Sequence, residues 1–152
     1  MTIEWEETWE PLSPEEIRSL EQSLGVALPD MYSEFLETVH GYIPVQCCLT
    51  VPRGAGLETT AEFLCGRGDG PDSIIWAQRR AYEGSLAGTI PMAVDAGGNY
   101  FVIEPKSGRI LFFFHDQVGS PFIPVANSFH DFLSMLHEDD EDLPPVPGLL
   151  AT

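Results

Sequence analysis

The sequence predicts a single α+β domain: two N-terminal helices, a mostly antiparallel sheet with helices packed on one face, and a C-terminal helix. Three observations predict it. Residues 13–25 carry helix start and stop signals around an apolar face. Residues 89–116 read as three short apolar runs separated by reversal signals. Residues 128–137 then return to helical spacing. The domain is assigned to residues 1–137, and residues 138–152 are assigned to an acidic, proline-rich tail.

Residues 1–12 are acidic, with Trp5 and Trp9 four apart, and read as a segment that folds its indoles onto the domain; the alternative is a hook for a partner. Ser13 is placed as an N-cap, Pro14 in the first helical position and Glu16 at the closing end of a capping box. Leu12 and Ile17 stand at the staple positions, and Ile17, Leu20 and Leu24 make one face. Gly25 stops the helix, because a left-handed residue is easiest without a Cβ. After Leu28 and Pro29, the spacing of Tyr32, Phe35, Leu36 and Val39 predicts a second amphipathic helix that ends at His40 and Gly41. His40 in its last turn suits the negative end of the helix dipole.

Residues 43–51 are expected to form a strand, residues 52–56 a loop and residues 62–65 a short second strand. The glycine-rich stretch 66–71 is a connection, after which Asp72 or Ser73 caps a helix reaching Tyr82, with Ile74, Ile75, Gln78 and Tyr82 on one side. The runs Ile90–Val94, Tyr100–Ile103 and 110–114 form an antiparallel meander, since Gly97, Gly98 and Gly108 supply the positive φ that tight reversals need. Phe112, Phe113 and Phe114 occupy both parities, so the third strand is expected to be covered on both faces. Residues 116–124 read as loop, and Phe129, Phe132, Leu133 and Leu136 as the apolar face of the last helix.

The charge is far from balanced: 24 acidic residues face 7 basic ones, a net charge of −17. Such a surface repels nucleic acid and anionic membranes and attracts basic partners, more weakly as salt rises. No apolar run reaches a membrane span, the acidic N-terminus does not resemble a signal peptide, and the three cysteines lack metal spacing. A cytoplasmic protein with reduced thiols is the expectation. Five consecutive acids, Glu138, Asp139, Asp140, Glu141 and Asp142, precede prolines at 144, 145 and 147, which favours a solvated tail or a strip for a basic partner.

Constellations for chemistry are weak. Cys47 and Cys48 are consecutive in a predicted strand, so at least one faces the core, and no histidine is placed beside them. Asp95, Glu104, His115 and Asp116 lie at strand ends of the meander, but carboxylates gather there easily in so acidic a chain, and neither a metal nor another cofactor is predicted. Gly66 and Gly68 lack the rest of a nucleotide fingerprint. Trp76 and the 112–114 aromatics read as core, with a ligand pocket as the less economical alternative.

The order of pieces resembles the SUKH superfamily, which groups bacterial toxin-immunity proteins with fungal cell-wall assembly regulators. The resemblance rests on Glu15, Ile17, Leu20, Glu21, Leu24 and Gly25, then Leu28 and Pro29, then Tyr32, Phe35, Leu36 and Gly41. It continues through Ile90 and Pro91, the Asp95–Asn99 turn, Gly108, His115 and Asp116, and the closing Phe129 and Phe132, about residues 13–137 in all. His40 departs from the pattern, where asparagine is usual.

The resemblance implies a non-enzymatic binding protein, most often an immunity protein that blocks a secreted toxin stoichiometrically. Many such toxins are nucleases with basic clefts, which an acidic protein can occupy as a nucleic-acid mimic. The expected partner is therefore a basic protein, with Asp69, Asp72, Asp95, Asp116, Glu138, Asp139 and Asp140 as contact residues. The alternative is a regulatory or scaffold module that docks through the Trp5/Trp9 segment and the proline tail. An enzymatic role, tied to Cys48 or Asp116, stands third.

Overall fold

The computed structural model describes residues 3–53, 56–117 and 121–139. In chain order these form β1 (Trp5–Thr8), α1 (Pro14–Leu24), α2 (Asp30–Thr38), β2 (Gly41–Pro44), β3 (Cys48–Val51), β4 (Leu57–Thr60), β5 (Glu62–Phe63), α3 (Ile74–Arg80) and a 3-10 turn (Ala81–Gly84). The meander β6 (Ile90–Val94), β7 (Tyr100–Ile103) and β8 (Ile110–Phe113) is followed by β9 (Phe122–Ala126) and α4 (Phe129–Met135). The protein is α+β, as predicted. Strands β5 to β9 make one antiparallel sheet in sequence order, while β1–β2 and β3–β4 are separate antiparallel pairs. No helix among the described residues is long and apolar enough to cross a membrane.

The first helix forms as its signals predict. Ser13 Oγ accepts from the Glu16 amide, the Glu16 carboxylate accepts from the Ser13 amide, and Gly25 closes the helix at φ 75°. Ile17, Leu20 and Leu24 are buried. In α2, Tyr32, Phe35 and Leu36 are buried, but Val39 is 39% exposed. The assigned helix ends at Thr38, but Val39 is still helical in its backbone and donates to the Phe35 carbonyl, so it keeps its place on the stripe at the helix end, where the core covers it only partly; His40 then takes the left-handed conformation (φ 46°).

One face of the large sheet carries α2 and α4. Phe101 and Phe112 are register partners with rings 4.9 Å apart, and Phe132 of α4 lies 5.0 Å from Phe101. Phe63 of β5 meets Phe132 edge-on, and Phe35 of α2 and Phe129 of α4 complete the cluster. Tyr100 and Phe113, also partners, face the other way against Tyr82 and Phe122. Every residue of β8 is buried, so the third meander strand is covered on both faces, as its aromatic parity predicts.

Several boundaries differ from the sequence reading. The single strand expected over residues 43–51 is two: β2 pairs with β1, and β3 pairs with β4. Pro44, which has no amide to donate, ends the first piece, and Val45 turns to donate to the Glu4 carbonyl. Strands β1 and β4 were not foreseen. The predicted 62–65 strand is only Glu62–Phe63, and residues 116–124, read as loop, contain the start of β9. Pro124 sits within β9, which is tolerable because this is an edge strand. The third helix stops at Arg80, short of Tyr82, and α4 spans Phe129–Met135 with Ser128 as its cap. Asp140 and the rest of the tail, like Gly54 and Ala55 of the predicted 52–56 loop, lie outside the described residues.

The N-terminal segment does fold its indoles onto the domain. Trp5 packs on Phe35 and Phe63, and its ring lies directly over Gly41, where an added Cβ would come within 2.2–2.4 Å of indole carbons. Gly41→Ala is therefore expected to lower the stability to unfolding by about 1–3 kcal/mol, the cost of overpacking a filled site. Urea denaturation measures this, and an unchanged midpoint would contradict the close approach.

Candidate functional site

The predicted contact residues do not form one cluster. Asp95 and Asp116 lie at one end of the meander. Asp72 is tied through its carbonyl to the Cys65 amide, beyond the far end of β5.

Asp95 is only 8% exposed and belongs to its own turn. One carboxylate oxygen accepts from the amides of Gly97 (3.0 Å) and Asn99 (2.7 Å), and the other from the Thr59 hydroxyl (2.7 Å) and the Asn99 side-chain amide (3.1 Å). Asn99 in turn accepts from the His115 amide (3.0 Å). With both oxygens spent inside the fold, Asp95 has no free face to present, so it is withdrawn from the contact set. Asp116, by contrast, has a side chain 75% exposed and stands 3.2 Å from His115 Nδ1. The other nitrogen of His115 lies 2.9 Å from the Gly97 carbonyl, and Tyr82 stacks on its ring at 4.9 Å and 7°. Tyr82 reaches that position at φ 48°, with its hydroxyl donating to the Gly98 carbonyl. The chain leaves helical geometry at Ala81 (ψ 129°), one residue before Tyr82 makes this contact.

Asp72 belongs to a different surface. Burial and the carboxylates of Glu62, Glu7 and Asp72 together push the Tyr42 phenol upward. Trp9 stacks on Tyr42 at 4.3 Å, so an aromatic pair sits among exposed acids. Asp69 shares a recess of about 340 Å³ with Trp76, Arg79 and Arg80, whose cations offset its charge. Glu138 and Asp139 are exposed where the chain leaves the domain, just past His137, whose backbone pairs with that of Cys48. Asp140 lies outside the described residues. Sequence reasoning missed Tyr42, Glu7 and Glu62, because nothing in their local pattern shows that β1, β2 and β5 lie side by side.

His40 does not serve the helix dipole. It is fully buried, with Nδ1 donating to the Glu10 carbonyl (2.6 Å) and Nε2 accepting from the Gly66 amide (3.0 Å). A carbonyl only accepts and an amide only donates, so these partners require the neutral ring with its proton on Nδ1. Burial lowers the pKa, partly offset by the bond to Glu10.

Other constellations are dispersed. Glu104 pairs with Arg109 at 3.2 Å in the β7–β8 turn, at the opposite end of the strand from Asp95 and His115, so the four drawn metal candidates are not assembled. Among the described residues no group of three or more His, Cys, Asp or Glu side chains converges to hold a metal. Cys48 is buried and Cys47 half-buried, with sulfurs 3.7 Å apart, and burial together with Cys47 pushes the Cys48 thiol up to about 12. A thiol held protonated is a poor nucleophile.

The fold is thus a one-domain α+β protein that presents acids and aromatic pairs along two separate surfaces. A family model described as SMI1 / KNR4 family (SUKH-1) matches residues 11–135, and the chain belongs to that family. It is also similar to the SPbeta prophage-derived uncharacterized protein YokK of Bacillus subtilis (strain 168), 25% identical over 144 residues, covering 82% of this chain and 74% of that protein.

Two outcomes follow from these bonds. Asp95→Ala strands four donors and is expected to cost about 3 kcal/mol, whereas Asp116→Ala is expected to stay within about 0.5 kcal/mol of the parent. Equal effects of the two in denaturant melts would contradict the separate roles. For His40, the unfolded chain binds the proton more readily than the folded one, so this residue's contribution to stability falls as pH drops below 6.5. His40→Asn, which tolerates the left-handed backbone, is expected to cost about 2 kcal/mol at neutral pH. It is also expected to flatten the wild type's pH slope just below 6.5, which urea midpoints at a series of pH values would reveal.

Proposed function

We propose that this protein is an immunity protein, acting by binding rather than catalysis, that neutralises a basic toxin through its acidic surface. Membership of the SUKH-1 family supports this reading, and so does its similarity to a prophage-derived protein. The observation that carries it is how the charges are used. Arg67 is engaged by Glu16 and by the carbonyls of Glu10 and Pro11. Arg109 is held by Glu104, Arg79 donates to the Ser23 carbonyl, and Arg53 lies over the Phe114 ring with its Nε on Gln117. These cations are turned onto the protein's own groups, while Glu7, Glu62, Asp72, Asp116 and Glu138 stand exposed. The outward field is negative, and it suits a partner evolved to grip phosphates.

The N-terminal segment does not support the scaffold alternative. Trp5 is spent on Phe35, Phe63 and Gly41, and β1 is already paired with β2, so this stretch is not a free docking strip.

Identifying the genes beside this one and co-expressing the protein with any toxin domain they encode tests the reading. Growth is expected to be restored, and the affinity of the purified complex to fall at least about tenfold between roughly 50 and 300 mM salt, as screening shortens the reach of surface charges. A neighbouring toxin that is neither bound nor neutralised would overturn it.

A further inference from the structure

Helices α2 and α4 leave an apolar groove between them that the core does not use. Among the described residues only three large hydrophobic side chains are exposed, and two of them, Met31 (50%) and Val39 (39%), lie along it. Met31 lines a depression of about 220 Å³ and Val39 an adjoining one of about 300 Å³; the two share Phe35, His130 and Leu133. They therefore form one trough, whose Val39 end is lined by Ile3 and Trp5 of the N-terminal segment. Neither helix contains a lysine or arginine, while Glu34, Glu37 and Asp131 are exposed on them and Glu34 itself lines the trough.

An apolar floor with one acid, Glu34, on its wall and no lysine or arginine on either helix suits a cationic occupant. Exposed apolar surface of this kind costs free energy in water and marks a binding site when it is continuous and rimmed by polar groups. The walls are mainly two helices whose backbone groups are bonded within themselves, so an occupant must satisfy its own backbone, which a helix does. We propose that this groove receives a cationic amphipathic helix of the partner. Its apolar face lies on Met31, Phe35, Val39 and Leu133, and a basic side chain on its flank lies against Glu34. This rests on the reading of the protein as a binder of a basic partner, and it assigns that partner's contact element to a surface apart from the acidic sheet end.

Methionine methyl NMR offers a direct test on the full chain, because Met31 lies in the groove whereas Met92 is fully buried in the core. The probe is a 14-residue helical peptide of leucine and lysine in amphipathic order, with its leucine–glutamate counterpart as control. Saturable movement of the Met31 signal by the lysine peptide alone, with Met92 unmoved, is the expected result. Val39→Asp, at a partly exposed helix-end position and with its fold checked by an unchanged Met92 signal, is expected to weaken binding at least about tenfold, or about 1.4 kcal/mol. Glu34→Lys is expected to weaken it as well, and Glu15→Gln, an exposed acid on α1 away from the trough, to leave it unchanged. No saturable binding, binding that leaves Met31 unmoved, or equal affinity for Val39→Asp would overturn the proposal. Undiminished toxin capture by folded Val39→Asp protein would overturn the groove while leaving the immunity reading intact. Peptide bound in the groove by a protein that neutralises no toxin would support the groove and overturn that reading.

Discussion

The contact between Phe132 of α4 and the pair Phe101 and Phe63 on the sheet holds the two layers of the domain together, and most of the remaining geometry depends on it. Phe63, Phe101, Phe112 and Phe132 are each at most 1% exposed, and their rings meet at tilted or edge-on angles with centroids 4.9–6.1 Å apart. Those arrangements favour the aromatic quadrupoles and exclude water from the joint. Because β7 and β8 place Phe101 opposite Phe112, the register of the meander and the seat of α4 are one constraint: a one-residue slip would turn both rings to the other face. Phe35 and Phe129 extend the cluster toward α2, which fixes the spacing of the two helices and hence the width of the trough between them.

A second constraint joins the N-terminal segment to the rest. His40 bridges the Glu10 carbonyl and the Gly66 amide, and Trp5 lies on the bare α-carbon of Gly41. Three stretches far apart in sequence meet within two adjacent residues. Asparagine at this position would suit the left-handed backbone. Histidine keeps that conformation and adds reach, at the cost of a buried ring that must remain neutral.

Charge and structure divide the acids into two kinds. Asp95 is an internal fastener, and Glu16, held down to about 2 by the Arg67 guanidinium and the Ser13 amide, ties α1 to the loop after β5. Glu7, Glu62 and Asp72 stand exposed and contribute to the negative field around the fold. The aromatic pairs Trp9–Tyr42 and Tyr82–His115 lie beside exposed acids, and flat rings next to carboxylates suit guanidinium groups.

The sequence by itself determined the α+β class, the capped first helix, the buried meander and the acidic character. These follow from short-range signals: Ser13, Glu16 and Gly25 act on backbone groups a few residues away, and the parity of Phe112 and Phe113 reflects strand geometry alone. Tertiary structure decided which acids are free and which are fasteners. Asp95 and Asp116 look alike in the chain, and they part only because Thr59, Asn99 and Gly97 converge on the first. The pairing of β1 with β2, the strand β9 beyond Asp116 and the exposure of Val39 were likewise hidden, since each depends on what segments distant in sequence do or do not cover. Local pattern sets what a segment can form, whereas long-range packing alone determines which side chains remain for a partner to touch.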